Sequence, residues 1–277
     1  MTLATMLRET SRLRQRVAAR KTAQAPMLTQ LRRDPAAIMT QAGLAPDPWQ
    51  RTLLMTSSRS SAERTLLLCS RQSGKSTVSA ALALLTAMLE ARALVLLLSP
   101  SLRQSAELYR KVADLWKVLG KPVAAEAESA LRVEFVNGSR VISLPGKDDA
   151  AIRGFSSPRL VVIDEAARVP DALYLSCRPM LAVSQGRLLA LSTPFGKRGW
   201  FFEAWHSQEN WRRVKITAEQ CPRIGAAFLA EERQALGDRW FAQEYLCSFE
   251  ELIGAVFRQS DIDAALSDDV EPLCVGG

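Results

Sequence analysis

Residues 69–77, with the sequence C-S-R-Q-S-G-K-S-T, have the types and spacing needed to hold the phosphates of a nucleotide. The pattern for such a loop is G-x-x-x-x-G-K-[ST], and Cys69 replaces its first glycine. Backbone N–H groups at a helix start can cradle a polyphosphate, Lys75 can bridge the β- and γ-phosphates, and the Ser76 hydroxyl can bind Mg²⁺. Gly74 stands where the backbone approaches the phosphates too closely for a Cβ. The predicted nucleotide-binding residues are Gln72, Ser73, Gly74, Lys75, Ser76 and Thr77, and Ser76 is also a predicted metal ligand.

Two adjacent carboxylates, Asp164 and Glu165, end the apolar run at 160–163. Open α/β sheets bind their ligands at the carboxyl ends of strands, so this is the edge where a nucleotide would lie. Asp164 suits the Mg²⁺ shell, directly or through water, and Glu165 can act as general base or orienting group for the attacking water. A solvated pair of acids in a loop is the alternative.

A third segment, Ser192-Thr193-Pro194, follows another apolar run at 187–191. Hydroxyl groups at a strand end beside the phosphates can sense the γ-phosphate and pass its loss to the next segment. A Ser/Thr-Pro turn with no such role is the alternative. We assign these three residues to coupling on the resemblance given below.

The elements that must position these residues alternate along the chain. Continuous apolar runs predict buried strands at 65–69, 93–99, 160–164 and 187–192, with another at 211–217, and helical periodicity predicts helices at 75–90 and 101–119. Asn137-Gly138 predicts a hairpin between 131–136 and 140–144, and 221–251 reads as mostly helical. Between Lys75 and Asp164 there is room for an inserted strand, assigned to 93–99. The predicted fold is a three-layer α/β phosphate-loop NTPase of the additional-strand (ASCE, RecA-like) type with a mainly parallel central sheet.

Composition and charge exclude several classes. A single histidine excludes His-based triads and His-rich metal sites, and five widely spaced cysteines without C-x-x-C argue against a zinc ribbon or a disulfide framework. No apolar run approaches the ~20 residues of a membrane span, so we expect a cytoplasmic protein with no membrane partner. Residues 1–33 carry a net charge of +7 within a total of +7, and 250–277 carry −6. The basic residues favour a polyanionic partner; a solvated N-terminal tail is the alternative. We predict a basic arm at 1–45, an ATPase core at 46–220, and a helical segment with an acidic linker at 221–277.

Four segments together resemble the large terminase subunit of tailed bacteriophages. They are P-D-P-W-Q-R (46–51), C-S-R-Q-S-G-K-S-T (69–77), V-V-I-D-E-A-A (161–167) and L-S-T-P-F-G-K-R-G (191–199). Arg153-Gly154 and W-F-A-Q-E-Y-L-C-S-F (240–249) fit the same pattern. The resemblance covers roughly residues 34–277.

The resemblance implies an ATPase that uses ATP and Mg²⁺ to drive double-stranded DNA into a procapsid. It implies a portal protein and a small terminase subunit as partners, and a homo-oligomeric ring on the portal. Carried over by position, Gln50 would read adenine, Ser192, Thr193 and Pro194 would form the coupling motif, and Arg71 is the phosphate-loop arginine. Arg153 resembles the arginine offered to a neighbouring subunit's γ-phosphate, although Arg71 can supply that charge within the same chain. A structural amide for Gln50 and a surface arginine for Arg153 remain alternatives.

One departure from the family concerns its nuclease domain. Members carry a second, C-terminal domain of RNase H type, and this sequence ends at Gly277, about where that domain's first strand would start. We therefore expect no nuclease activity from this chain. A superfamily-2-like helicase or DNA-remodelling ATPase is a competing function, but it needs a second RecA-like domain, and the residues after Pro194 are too few to form one. A catalytically degenerate prophage remnant is another, and it is disfavoured because Lys75, Asp164 and Glu165 are all present.

Overall fold

The computed structural model describes residues 25–58, 63–146 and 150–251. Most of the predicted basic arm (1–24) and of the acidic linker (252–277) lies outside the described residues. The strands are β1 (Arg64–Cys69), β2 (Leu94–Ser99), β3 (Ala125–Glu128), β4 (Arg132–Phe135), β5 (Arg140–Pro145), β6 (Leu160–Asp164), β7 (Arg187–Ser192) and β8 (Arg212–Ile216). The helices are α1 (25–33), α2 (Ala37–Gln41), α3 (Pro48–Ser57), α4 (Lys75–Leu89), α5 (Leu102–Val118), α6 (Ala150–Arg153), α7 (Asp171–Ser184), α8 (Gly199–His206) and α9 (Ala226–Tyr245, interrupted at Gly237). Short 3₁₀ helices follow β6 (Ala166–Arg168) and β8 (Ala218–Gln220).

The eight strands form one sheet in the order β3-β4-β5-β2-β6-β7-β1-β8. From β5 to β8 every neighbouring pair is parallel, and β3 and β4 extend the edge at β5 in antiparallel fashion. The predicted hairpin at Asn137-Gly138 is the turn between β4 and β5, where Gly138 has a φ of +79°. The mainly parallel sheet is therefore confirmed.

The strand inserted between β1 and β6 is β7, not the predicted strand at 93–99. In the sheet, β7 pairs with β1 on one side and with β6 on the other, whereas β2 (Leu94–Ser99) lies between β6 and β5. An apolar run identifies a strand but does not reveal its neighbours, which depend on how the helical crossovers pack. As a result, β7 places Ser192 between the phosphate loop and the acidic strand end.

Two apolar clusters, one on each face of the sheet, give the three layers that the sequence predicts. The first contains buried residues of α1 to α5, and the second contains buried residues of α6, α7 and α8. Successive residues of β1 alternate between them, since Leu67 belongs to the first cluster and Leu66 and Leu68 to the second. No helix among the described residues is long and apolar enough to cross a membrane.

The packed core begins earlier than the predicted boundary at residue 46. Leu31, Ile38 and Met39 are buried in the first cluster, so α1 and α2 belong to the core rather than to a separate arm. Pro48 opens α3 at its first helical position, a place where proline is favoured because its missing N–H has no helical partner. The proline-rich segment therefore starts a helix inside the packed region. Cys221 is buried in the same cluster, so packing also continues past residue 220.

Candidate nucleotide site

The phosphate loop connects the carboxyl end of β1 to the start of α4 at Lys75. Two residues of the loop have left-handed backbone conformations, Gln72 with φ +56° and Gly74 with φ +88°. Inside the turn, the buried Ser73 hydroxyl donates to the carbonyl of Ser70 over 2.9 Å. In the first turn of α4, the Thr77 N–H donates to the Gly74 carbonyl over 3.1 Å. The strand, loop and helix order expected from the sequence is therefore present.

Four of the predicted site residues meet at the ends of β1 and β6. The Lys75 Nζ lies 3.2 Å from Oε1 of Glu165. The Ser76 hydroxyl donates to Oδ2 of Asp164 over 3.4 Å. The chain thus brings one ammonium group, one hydroxyl and two carboxylates together from segments 88 residues apart, as the phosphate-loop interpretation requires.

Asp164 and Ser76 form a donor set that fits Mg²⁺. This ion prefers oxygen ligands and usually takes one or two from the protein, with water and substrate phosphates completing its shell. Burial, reinforced by the adjacent Glu165 carboxylate, raises the pKa of Asp164 to about 6, and the Lys75 ammonium opposes that shift. A buried carboxylate with so little compensating charge is suited to a cation.

Glu165 is held in an unusual backbone conformation. Its φ of +51° lies in the left-handed region, which costs a residue with a Cβ about 1–2 kcal/mol. The Glu165 N–H donates to Oδ1 of Asp164 over 3.0 Å, and the 3₁₀ helix begins at the next residue. Such conformations persist only where the surrounding structure maintains them, and they cluster at functional sites. Here the turn keeps the two adjacent carboxylates at the same edge of the sheet.

Gln50 packs directly against the phosphate loop and is only 2% exposed. Its Oε1 accepts a hydrogen bond from the Asp47 N–H over 2.9 Å at the start of α3. Its Nε2 donates to the Gly74 carbonyl over 3.3 Å. Both ends of the amide are therefore used within the protein, which is the structural role weighed as the alternative. Reading of adenine by Gln50 stays a prediction.

Arg71 pairs with the C-terminal part of α9. Its Nε lies 2.5 Å from Oε2 of Glu244, and its backbone N–H donates to the Glu244 carbonyl over 3.1 Å. The Glu244 side chain is buried, whereas that of Arg71 is 61% exposed. Arg71 is thus tethered through one nitrogen, and much of its guanidinium remains accessible next to the loop.

Arg223, which was not predicted from the sequence, also supports the phosphate loop. One nitrogen lies 2.6 Å from Oδ1 of the buried Asp47, and another donates to the Ser73 carbonyl over 3.0 Å. Arg223 comes shortly after β8, which ends at the same sheet edge as β1. The position of Arg223 just after β8 was the one available sign that it lies near the loop. This sign depends on the pairing of β8 with β1, which the sequence does not reveal.

The predicted coupling segment contacts the loop that follows Glu165. The Ser192 hydroxyl accepts a hydrogen bond from the backbone N–H of Ala167 over 3.2 Å. Ser192, Thr193 and Pro194 are all buried at the end of β7, between the two strands that carry the nucleotide-site residues. One hydrogen bond therefore connects the loop after the acidic strand end to this segment.

Arg153 lies elsewhere, at the C-terminal end of α6. It is exposed and lines a surface depression with residues of α7, among them Leu175 and Met180. That lining includes no residue of the phosphate loop. An exposed arginine in this position is compatible with contact to a neighbouring molecule and with the surface role given as the alternative.

Comparisons with known proteins point to one family. Residues 66–264 match the family model described as terminase large subunit, T4likevirus-type, N-terminal. The ATPase domain of the Thermus phage P74-26 large terminase superposes with a TM-score of 0.64 at 20% identity, covering 76% of this chain and 97% of that one. No curated protein matches the sequence.

Two longer terminases superpose over about half of their own length. The large terminase of a thermophilic bacteriophage, solved in complex with ADP, gives a TM-score of 0.62 at 12% identity, with 74% of this chain and 54% of that chain covered. The bacteriophage HK97 large terminase gives 0.59 at 13% identity, with 75% and 51% covered. These likenesses establish the RecA-like phosphate-loop fold. Because the family model extends over well more than half of the sequence, the chain belongs to the terminase large-subunit family of T4likevirus type and matches its N-terminal part.

Proposed function

We propose that this chain is the ATPase motor domain of a phage terminase large subunit, which couples Mg²⁺-dependent ATP hydrolysis to translocation of double-stranded DNA into a procapsid. The observation that carries the proposal is the meeting of Lys75 and Ser76 with Asp164 and Glu165. Membership of the terminase family supports the packaging role, and no observation favours a helicase or a degenerate remnant.

In this mechanism, the loop N–H groups and Lys75 hold the β- and γ-phosphates of ATP. Ser76 and Asp164 would hold Mg²⁺, which neutralises charge on the phosphates when bound. When Lys75 turns to the γ-phosphate, its 3.2 Å pairing with Glu165 is given up, and the Glu165 carboxylate becomes available to water. The water oxygen attacks the γ-phosphorus, the bond to the β-phosphate oxygen breaks, and Glu165 accepts the water proton.

The structural effect of losing the γ-phosphate would then be transmitted to the end of β7. Glu165 is two residues from Ala167, whose N–H is held by the Ser192 hydroxyl. A shift of the acidic strand end would alter that hydrogen bond and move the segment at Ser192, Thr193 and Pro194. This hydrogen bond supports the proposed role of the three residues in coupling hydrolysis to DNA movement.

We further propose that the protein acts in the cytoplasm of the bacterial host as a homo-oligomeric ring docked on the portal protein, with the small terminase subunit as a second partner. The exposed position of Arg153 supports its assignment as the arginine offered to the neighbouring γ-phosphate. Arg71 is the alternative source of that charge, since its guanidinium is largely accessible beside the loop.

The test is ATP turnover by the wild type, Glu165→Gln and Lys75→Ala, with and without Mg²⁺ and double-stranded DNA. Loss of a positioned base should lower turnover by ~10²–10⁴-fold while nucleotide binding persists. Lys75→Ala should lose nucleotide binding. Glu231→Gln, an exposed glutamate of α9, is the matched control and should behave as the wild type. Undiminished turnover in Glu165→Gln, or undiminished nucleotide affinity in Lys75→Ala, would contradict the proposal.

A further inference from the structure

Two guanidinium groups lie over one phenyl ring beside the nucleotide site. The Arg168 Cζ is 3.9 Å from the centre of the Phe195 ring, and the Arg198 Cζ is 5.4 Å from it. Both arginines are exposed, and within residues 25–58, 63–146 and 150–251 neither has a carboxylate at ion-pair distance. We call Arg168 and Arg198 the arginine pair.

Arg168 and Arg198 place two positive charges near the same ring, and an anion bound there would offset their mutual repulsion. The ring attracts each guanidinium through its quadrupole, a contact worth about 0.5–1 kcal/mol at an exposed site in general. The same contact restricts the side chains, so less freedom is lost when the guanidinium groups bind a ligand. The nearest cation in sequence, Lys197, is also exposed and lies 3.9 Å from Oε1 of Glu251. Among the described residues, the arginine pair is therefore a positive site with restricted side chains and no paired carboxylate.

The arginine pair is joined to the nucleotide site at two points. Arg168 ends the 3₁₀ helix that starts directly after Glu165, and its N–H donates to the Glu165 carbonyl over 2.8 Å. Phe195 directly follows Pro194 of the coupling segment, and Arg198 precedes α8. A ligand on the arginine pair would therefore contact both segments that respond to the γ-phosphate.

We propose that the arginine pair binds the phosphate backbone of double-stranded DNA, an inference that rests on the proposed function. Guanidinium groups match phosphate geometry with two parallel hydrogen bonds, and protein–DNA interfaces are polar and positively charged. A protein partner would need a buried apolar centre. The exposed large apolar side chains of the described chain lie on other elements, such as Leu175 and Val183 of α7 and Trp240 of α9. The surface around Phe195 thus fits a polyanion.

The experiment measures binding of the full chain to double-stranded DNA across a series of salt concentrations, together with ATP turnover with and without DNA. The variants are Arg168→Gln, Arg198→Gln, the double Gln variant and the double Lys variant. Arg178→Gln is the matched control, because Arg178 is exposed and its Cζ lies 5.8 Å from the centre of the Tyr174 ring of the same helix, α7. Glu165→Gln is assayed in parallel.

The slope of log K against log salt is negative, and each Gln substitution should reduce its magnitude by about 0.9, and the double variant by about 1.8, regardless of DNA sequence. In the same variants, the stimulation of ATP turnover by DNA should be weaker than in the wild type, while turnover without DNA stays at the wild-type rate. The double Lys variant, which keeps both charges, and Arg178→Gln should retain the wild-type slope.

A double Gln variant with the wild-type salt slope would overturn the inference, as would a wild type that does not bind DNA at low salt. Failure of the proposed function looks different, since there Glu165→Gln hydrolyses ATP like the wild type.

Discussion

Replacing Gln50 with alanine distinguishes between two roles of this residue, support of the phosphate loop and recognition of adenine. The substitution removes the acceptor of the Asp47 N–H and the donor to the Gly74 carbonyl, both at a buried position. Each net hydrogen bond contributes about 0.5–1.5 kcal/mol, so we expect a loss of about 2 kcal/mol in the free energy of unfolding. For a chain of this size, that corresponds to a melting temperature lower by about 4–8 °C.

The assay combines thermal unfolding with titration of ATP and of GTP. If Gln50 acts by supporting the loop, affinity for both nucleotides falls by the same factor, because the loop contacts phosphates and not the base. Gln234→Ala removes an exposed glutamine from α9 and serves as the control for helix composition. A variant that keeps wild-type stability and loses affinity for ATP alone would refute the reasoning and favour adenine recognition.

Two further substitutions test the loop and the coupling segment. Gly74→Ala places a Cβ 2.6 Å from the Gln50 Nε2 and forces a φ of +88° on alanine, a conformation that costs about 1–2 kcal/mol. The variant should therefore melt at a lower temperature than the wild type. Added ATP, which should raise the melting temperature of the wild type, should no longer raise that of the variant. Ser192→Ala removes the acceptor of the Ala167 N–H, so nucleotide affinity should persist while DNA-stimulated turnover falls; stimulated turnover equal to that of the wild type would exclude the coupling role.

Much of the fold could be predicted because its central strands are buried on both faces. In β2 and β7 every residue is buried, and their apolar runs stand out against the helices between them. The edge strand β3, with the sequence A-E-A-E, is half exposed and carries no such run, so it escaped prediction. Strand order escaped for another reason, because the place of β7 between β1 and β6 depends on tertiary packing and not on local pattern.

The candidate site divides in the same way. Lys75 and Ser76, and likewise Asp164 and Glu165, are adjacent in sequence, so their chemistry was visible in short motifs. Arg223 reaches the loop across 150 residues, and Glu244 reaches Arg71 across 173. An arginine after a strand is ordinary, so nothing in the local sequence marks the Arg223 contact. The segment 240–249 fits the family pattern, but its sequence does not reveal that Glu244 reaches Arg71.

These two long-range contacts connect the phosphate loop to the segment after β8. Arg223 holds the Ser73 carbonyl, and Glu244 holds both the backbone and the side chain of Arg71, so residues on either side of Gln72 are fixed by the segment from 221 to 245. If the loop geometry that binds phosphate depends on those contacts, their loss lowers nucleotide affinity. By reciprocity of linked equilibria, bound nucleotide then stabilises the same contacts to the same extent. The region predicted as a helical segment with an acidic linker would then contribute to the energetics of the site, although it supplies none of the four groups that meet at the ends of β1 and β6.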